Sequence, residues 1–262
     1  MTRGPALGLI VAAVYLFLLA PLVIVVIVSF DPTDAFRIPP SGLSLRWYRA
    51  FFASDTFVRA FFRVSLVVAL LVSALATLVG GLAAVGLVRY AFRGRTLVEA
   101  AFLAPIVVPE ILLGAALFLF WSYLRIKWTA TLAGLALGHL LIALPYVVRT
   151  ITAGLHGIEP ALEEAAMSLG ASRAQAFRKV TLPLIASSVL SGAVFAFIIS
   201  FSDINIALFV AGADTVTLPV HIFSQIAWQA DPTIAAASTL QILAIGVLLG
   251  AVQRAFRLRV AM

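Results

Sequence analysis

Cysteine is missing from all 262 residues of the chain, which excludes disulfides, thiolate metal sites and a cysteine nucleophile. Charge is scarce as well. Asp, Glu, Lys and Arg make up 11% of the residues, against about 25% in a soluble domain. With 63% hydrophobic residues and a mean hydropathy of +1.13, too little polar material remains to coat a surface facing water, and the chain reads as an integral membrane protein. The three histidines, His139, His156 and His221, are scattered, and none has partners spaced for a metal. There is no Gly-x4-Gly-Lys-Ser/Thr phosphate loop and no nucleophile–base set in the polar segments. The net charge of +7 comes from basic residues that flank apolar runs, not from a basic soluble domain, which argues against nucleic acid as a partner.

What is abundant is long apolar runs. A helix needs roughly 20 mainly apolar residues to span a bilayer, because lipid offers its backbone no outside partner. Six stretches qualify, at approximately 7–30, 64–88, 100–121, 131–148, 184–202 and 234–252. The first, apolar from Ala6 to Val28, exceeds the ~7–15 residue core of a cleaved signal peptide and is read as an uncleaved span. With the N-terminus inside, the inner segments hold eleven of the 18 Lys and Arg residues, and the outer loop 203–232 holds none. The positive-inside rule then puts both termini and the polar segment around Glu164 in the cytoplasm.

The outer segment Ser44–Arg63 interleaves seven aromatics, Trp47 and Phe51 among them, with Arg46, Arg49, Asp55, Arg59 and Arg63. That mixture suits a short helix lying in the membrane interface and leading into the second span, with Asp55 and Arg59 at the favourable i,i+4 spacing. The second run is rich in small residues from Ser73 to Gly86, which allow close helix approach within the bundle or at a subunit interface. Pro105 and Pro109 fall inside the third run, where each favours a kink. Glu110 follows directly; an intramembrane carboxylate marks either a function or a partner for backbone freed by the kinks. His139 is read as a hydrogen bonder between helices. Ser200, Ser202, Asp203 and Asn205 cluster where the fifth run ends, with Asp203 supplying a negative charge.

Between the fourth and fifth runs lies a polar handle, about 155–183. Pro160 suits a first helical turn, and Ala161 to Leu169 are good helix formers. Gly170 fits the left-handed residue that ends a helix. Ser172 and Gln175 have capping-box spacing and start a second helix running to Leu182, with Pro183 marking the start of the fifth span. Leu162, Ala165, Ala166 and Leu169 give the first helix a small apolar face. Glu163 and Glu164 stand near its positive end. A helix this short is marginal in water and needs something to pack on.

The residues Glu164-Ala165-Ala166, then Gly170, then Val180, Leu182 and Pro183 resemble the cytoplasmic motif of the membrane subunits of binding-protein-dependent ABC importers. Val180 stands where that motif has isoleucine. Leu-Ser-Leu-Arg-Trp-Tyr at 43–48, Ala-Pro-Ile-Val-Val-Pro-Glu at 104–110 and the stretch 210–220 are similar to permeases of the spermidine/putrescine type; permeases for ferric iron, sulfate and phosphonates share much of the pattern. The resemblance implies an all-α polytopic membrane protein, a single permease domain over 1–262 with six transmembrane helices and a cytoplasmic coupling helix, in a bacterial inner membrane. It implies an assembly of two permeases, the second a related chain, two cytoplasmic ATPases that bind ATP and Mg, and an external solute-binding protein, with no cofactor in this chain and no enzyme activity of its own. Glu163, Glu164, Ala165, Ala166, Gly170, Val180, Leu182 and Pro183 would form the ATPase-coupling segment. Glu110, Ser200, Asp203 and Asn205 would be candidates for the path of a solute, a polyamine. An ion-coupled secondary transporter remains the alternative that Glu110 and the proline pair keep open, but it leaves the handle unexplained.

Overall fold

The structure is a computed structural model describing residues 5–228 and 231–260, and among these it contains helices and no strand. The helices are α1 (Pro5–Val28), α2 (Arg46–Ala53), α3 (Asp55–Arg89), α4 (Arg95–Val107), α5 (Glu110–Tyr123), α6 (Leu132–His156), α7 (Ala161–Ser168), α8 (Arg173–Leu184), α9 (Ala186–Ser202), α10 (Ala207–Val210), α11 (Leu218–Trp228) and α12 (Thr233–Val260). Four of them, α1, α3, α6 and α12, are long and apolar enough to cross a membrane, and the bent pairs α4–α5 and α8–α9 raise the number to as many as six. Arg3 lies outside the described residues, as do the side chains of Arg257 and Arg259.

Contacts divide the chain into two compact units, Met1–Arg59 with His221–Val247, and Ala60–Val220 with Leu248–Met262. In the first, α1 is bare: Leu9 and Phe17 are 75% and 78% exposed, a surface that would aggregate in water and suits lipid. After α1, Asp31 organises a loop. Its carboxylate accepts from the Thr33 N–H at 2.9 Å, the Thr33 hydroxyl at 2.8 Å and the Ser41 hydroxyl at 3.1 Å. The Thr33 N–H contributes most, and together these bonds hold the Asp31 carboxyl below its ordinary range against the opposing pull of burial. The aromatics of the 44–63 segment do not simply float in the interface. Trp47 is buried and donates to the Asp31 carbonyl at 2.7 Å, and Phe51 and Phe57 are buried with ring centroids 5.5 Å apart. Alternation with arginine marks an amphipathic helix equally well whether its apolar face meets lipid or protein, so composition alone could not separate the two. The Asp55–Arg59 pair forms as expected, at 3.5 Å.

In the second unit α3, α6 and α9 pack on one another. Lipid is as apolar as any side chain, so close van der Waals fit drives such packing. The small residues of α3 serve it: Ala76 and Ala84 are fully buried, and a Cβ on Gly80 would come within 2.9 Å of Val147 Cγ1. Ser73 donates across to the Ala193 carbonyl at 2.7 Å.

Three boundaries differ from the sequence reading. The run at 100–121 is not one kinked span: α4 and α5 meet at a 108° bend. Pro105 sits inside α4, whereas Val108 and Pro109 are both extended, because a residue preceding proline is driven out of the helical region. The run at 131–148 continues as helix to His156, since Arg149 ends an apolar stretch without ending a helix. Pro183 does not divide α8 from α9; the 69° bend follows Leu184, after a π-helical turn at Phe177–Thr181.

The start of α6 offers a test of the packing. Thr131 caps it by accepting from the Gly134 N–H at 3.1 Å, and a Cβ on Gly134 would fall 2.0 Å from the Trp128 carbonyl oxygen. Overpacking costs about 1–3 kcal/mol. Gly134→Ala is expected to lower the melting temperature of the detergent-purified protein clearly, while Gly246→Ala, which meets open space, leaves it in place. Equal melting of the two variants would contradict the packing at Trp128.

Candidate functional site

Two places concentrate polar chemistry. The first is the handle, α7 and α8. Gly170 turns the corner with φ +90°. Gly170 and Ala171 donate to the carbonyls of Met167 and Ala166 at 2.9 and 3.1 Å, the paired bonds of a glycine-terminated helix. The capping box is complete: the Ser172 N–H donates to Gln175 Oε1 at 2.8 Å, and the Gln175 N–H to Ser172 Oγ at 3.3 Å.

The expected coupling residues separate into two sets. Glu164, Ala165, Gly170, Leu182 and Pro183 are exposed, and Ala166 and Val180 are half-buried. Leu169, at the tip, is 90% exposed. Glu163 points the other way: Arg89 Nη2 lies 2.9 Å from its Oε1, and the buried Thr181 hydroxyl donates to the same oxygen at 2.5 Å. Neither Arg89 nor Thr181 stood out in the sequence. Arg89 entered it only as one more basic residue at a span end, and no spacing rule joins residues so far apart.

The second place is a buried seam where α9 ends. Asp203 accepts from the N–H groups of Ile206 and Ala207 at 3.1 and 3.0 Å, which opens α10. His139 Nδ1 and Ser200 Oγ are 2.9 Å apart. His139 Nε2 approaches Asp203 Oδ2 to 3.3 Å, with the two side chains 0% and 1% exposed. His139 is thus the link between helices that its setting indicated. Asp203 directly follows α9, as expected, and is buried there, its carboxylate accepting from backbone donors with His139 Nε2 beside it. Asn205 is half-buried and donates from Nδ2 to Glu110 Oε2 at 2.9 Å, while Ser202 is exposed and donates to the Ile198 carbonyl. Glu110 opens α5 directly after the break and is half-buried. Two glycines make room for this segment. A Cβ on Gly114 would sit 2.8 Å from the Asn205 carbonyl oxygen, and one on Gly138 would sit 2.6 Å from Ile206 Cγ2. No cluster of metal-ligating side chains exists among the described residues.

The described residues are thus all-α, with helices broken around a polar seam and a two-helix handle tied to α3 through Glu163 and Arg89. The chain belongs to the family of binding-protein-dependent transport system inner membrane components, whose model matches residues 76–262. It is 35% identical over 232 residues to the spermidine/putrescine transport system permease protein PotC of Haemophilus influenzae, covering 87% of this chain and 88% of that one. It is 34% identical over 252 residues to the putrescine transport system permease protein PotI of Escherichia coli, covering 94% and 89%. The sulfate transport system permease protein CysT of Salmonella typhimurium is 36% identical, over 59% of this chain and 60% of its own. Among solved structures, a bacterial ABC transporter involved in import of the acidic polysaccharide alginate shares the fold at a TM-score of 0.70 and 16% identity, covering 96% of this chain and 94% of that one. An amino acid ABC transporter does so at 0.57 and 16%, covering 79% and 97%. The chain is therefore an inner-membrane ABC importer permease, a transport subunit and not an enzyme. It works with a second permease, ATPases and a solute-binding protein that delivers a small solute.

Proposed function

We propose that the chain is the permease of a polyamine importer. The supporting observation is coverage: the relatives named for spermidine and putrescine align with 87% and 94% of the chain, the sulfate relative with 59%. The chemistry agrees, because Glu110 brings a carboxylate to a helix break, where a polyamine's ammonium groups are met by charge. Fold alone does not choose a solute, since the solved relatives carry an acidic polysaccharide and amino acids.

In this reading each bent pair crosses the membrane once. Residues 1–262 act as one six-span permease domain with both termini and the handle in the bacterial cytoplasm. The second permease is a related chain. The exposed face of α7 and the Gly170 corner dock on the partner ATPase, which binds ATP and Mg. Glu110 and Asn205 line the path directly. Ser200 and Asp203 act on it from behind, through His139 and the capped turn that presents Asn205. ATP-driven closure of the ATPases moves the handles, and rocking of the spans switches access from outside to inside. Uptake by the reconstituted complex tests the solute: labelled putrescine or spermidine should enter proteoliposomes when ATP and the solute-binding protein are supplied, and labelled sulfate should not. Sulfate uptake without polyamine uptake would reverse the assignment.

A further inference from the structure

We propose that Arg89, with Thr181, is a positioning residue for energy coupling: the two clamp Glu163 so that motion of α7 is passed to α3 and α8 together. The proposal rests on the reading of the handle as the ATPase-docking element. Glu163 Oε1 is the meeting point of three elements, with Arg89 Nη2 at 2.9 Å from the last turn of α3 and the Thr181 hydroxyl at 2.5 Å from the π-helical turn of α8. The Arg89 and Glu163 side chains are only 17% and 22% exposed, so water screens the pair less than a surface bridge. Each charge also suits its own helix end, the cation at the C-terminus of α3 and the anion in the first turn of α7. α3 packs on α6 and α9, so a pull on Arg89 acts on the packed bundle and not on a free end.

The Arg89 side of the clamp is an ion pair rather than an aligned hydrogen bond: Nη2 and Nε are both buried without a hydrogen bond among the described residues. The pair borders a cavity of about 460 Å³ lined also by Tyr90, Met167, Arg173 and Phe177, which leaves room for α7 to shift against α3. Glu163 therefore does different work from Glu164: the inward carboxylate transmits, while the outward one faces the partner.

The test is the number of ATP molecules hydrolysed per solute imported by the whole reconstituted complex. Arg89→Glu sets like charges against each other at Glu163. It is expected to raise the ratio at least about fivefold, the lower range of coupling between linked sites. The swap of Arg89→Glu with Glu163→Arg should bring the ratio back towards the starting value, which ties the effect to the pair and not to either residue alone. If Arg89→Glu fails to accumulate in the membrane, Thr181→Val, which removes only the hydroxyl donor, should still raise the ratio. Unaltered ratios in Arg89→Glu and Thr181→Val, beside a raised ratio in Glu164→Lys, overturn the clamp alone. An unaltered ratio in Glu164→Lys as well overturns the docking reading and the clamp with it.

Discussion

Glu164→Lys and Gly170→Val are expected to insert and accumulate normally and yet to lose solute-stimulated ATP hydrolysis in the assembled complex, down to the unstimulated rate. Glu164 is exposed in the first turn of α7, where a carboxylate is favoured by the helix dipole and a lysine is opposed by it. Charge there is exposed and carries no packing of its own, so under the proposed docking role reversal should act on docking more than on stability. Gly170 acts through the backbone. Its φ of +90° costs a side-chain-bearing residue about 1–2 kcal/mol, and a β-branched one is worse placed. A Cβ at Gly170 would meet no neighbour, so the penalty is conformational and confined to the corner. Opening that corner would swing α7 relative to α8, and with it the face proposed to dock. The measurement is ATP turnover with and without loaded solute-binding protein. Wild-type stimulation in both variants would remove the handle from coupling.

Glu110→Gln is expected to cut polyamine uptake by about tenfold or more, equivalent to ~1.4 kcal/mol. A unit charge 4 Å from a carboxylate is worth on the order of 4 kcal/mol at an effective dielectric of ~20, and partial exposure of Glu110 reduces that. Asn205 can keep its hydrogen bond to the amide oxygen of the variant, so the local turn should persist and the loss should fall on the cation. Uptake of labelled putrescine into proteoliposomes reads the effect directly. Uptake at the original rate would take Glu110 out of the path.

The handle was almost wholly legible before the structure. A proline start, a glycine stop and an S-x-x-Q box are local signals, and the backbone obeys them at Gly170 and at Ser172–Gln175. The apolar runs were legible for the same reason: lipid imposes length and composition on each helix separately. What stayed hidden depends on contacts between distant residues. The proline pair announced a kink, but only Pro109 breaks the helix, because Pro105 is tolerated one turn earlier. Asp203 was legible as a negative charge where the fifth run ends, but not its burial against Ile206, Ala207 and His139, which comes from the packing of separate segments. Glu163 and Glu164 are neighbours of identical type, and nothing local tells that one turns in to Arg89 while the other turns out.

Docking of the handle is tested most directly by a cysteine in place of Leu169, the 90% exposed residue at its tip. In membranes carrying the whole complex, a short thiol–amine cross-linker should join Leu169→Cys to the ATPase subunit, identified by mass spectrometry of the cross-linked peptide, and the yield should change when ATP is added. A cysteine at Ala213, in the loop that lacks Lys and Arg, should not reach the ATPase. A Leu169→Cys chain that never cross-links to the ATPase, or that an impermeant thiol reagent modifies from the outer side of the membrane, would contradict a handle that takes up the ATPase's motion.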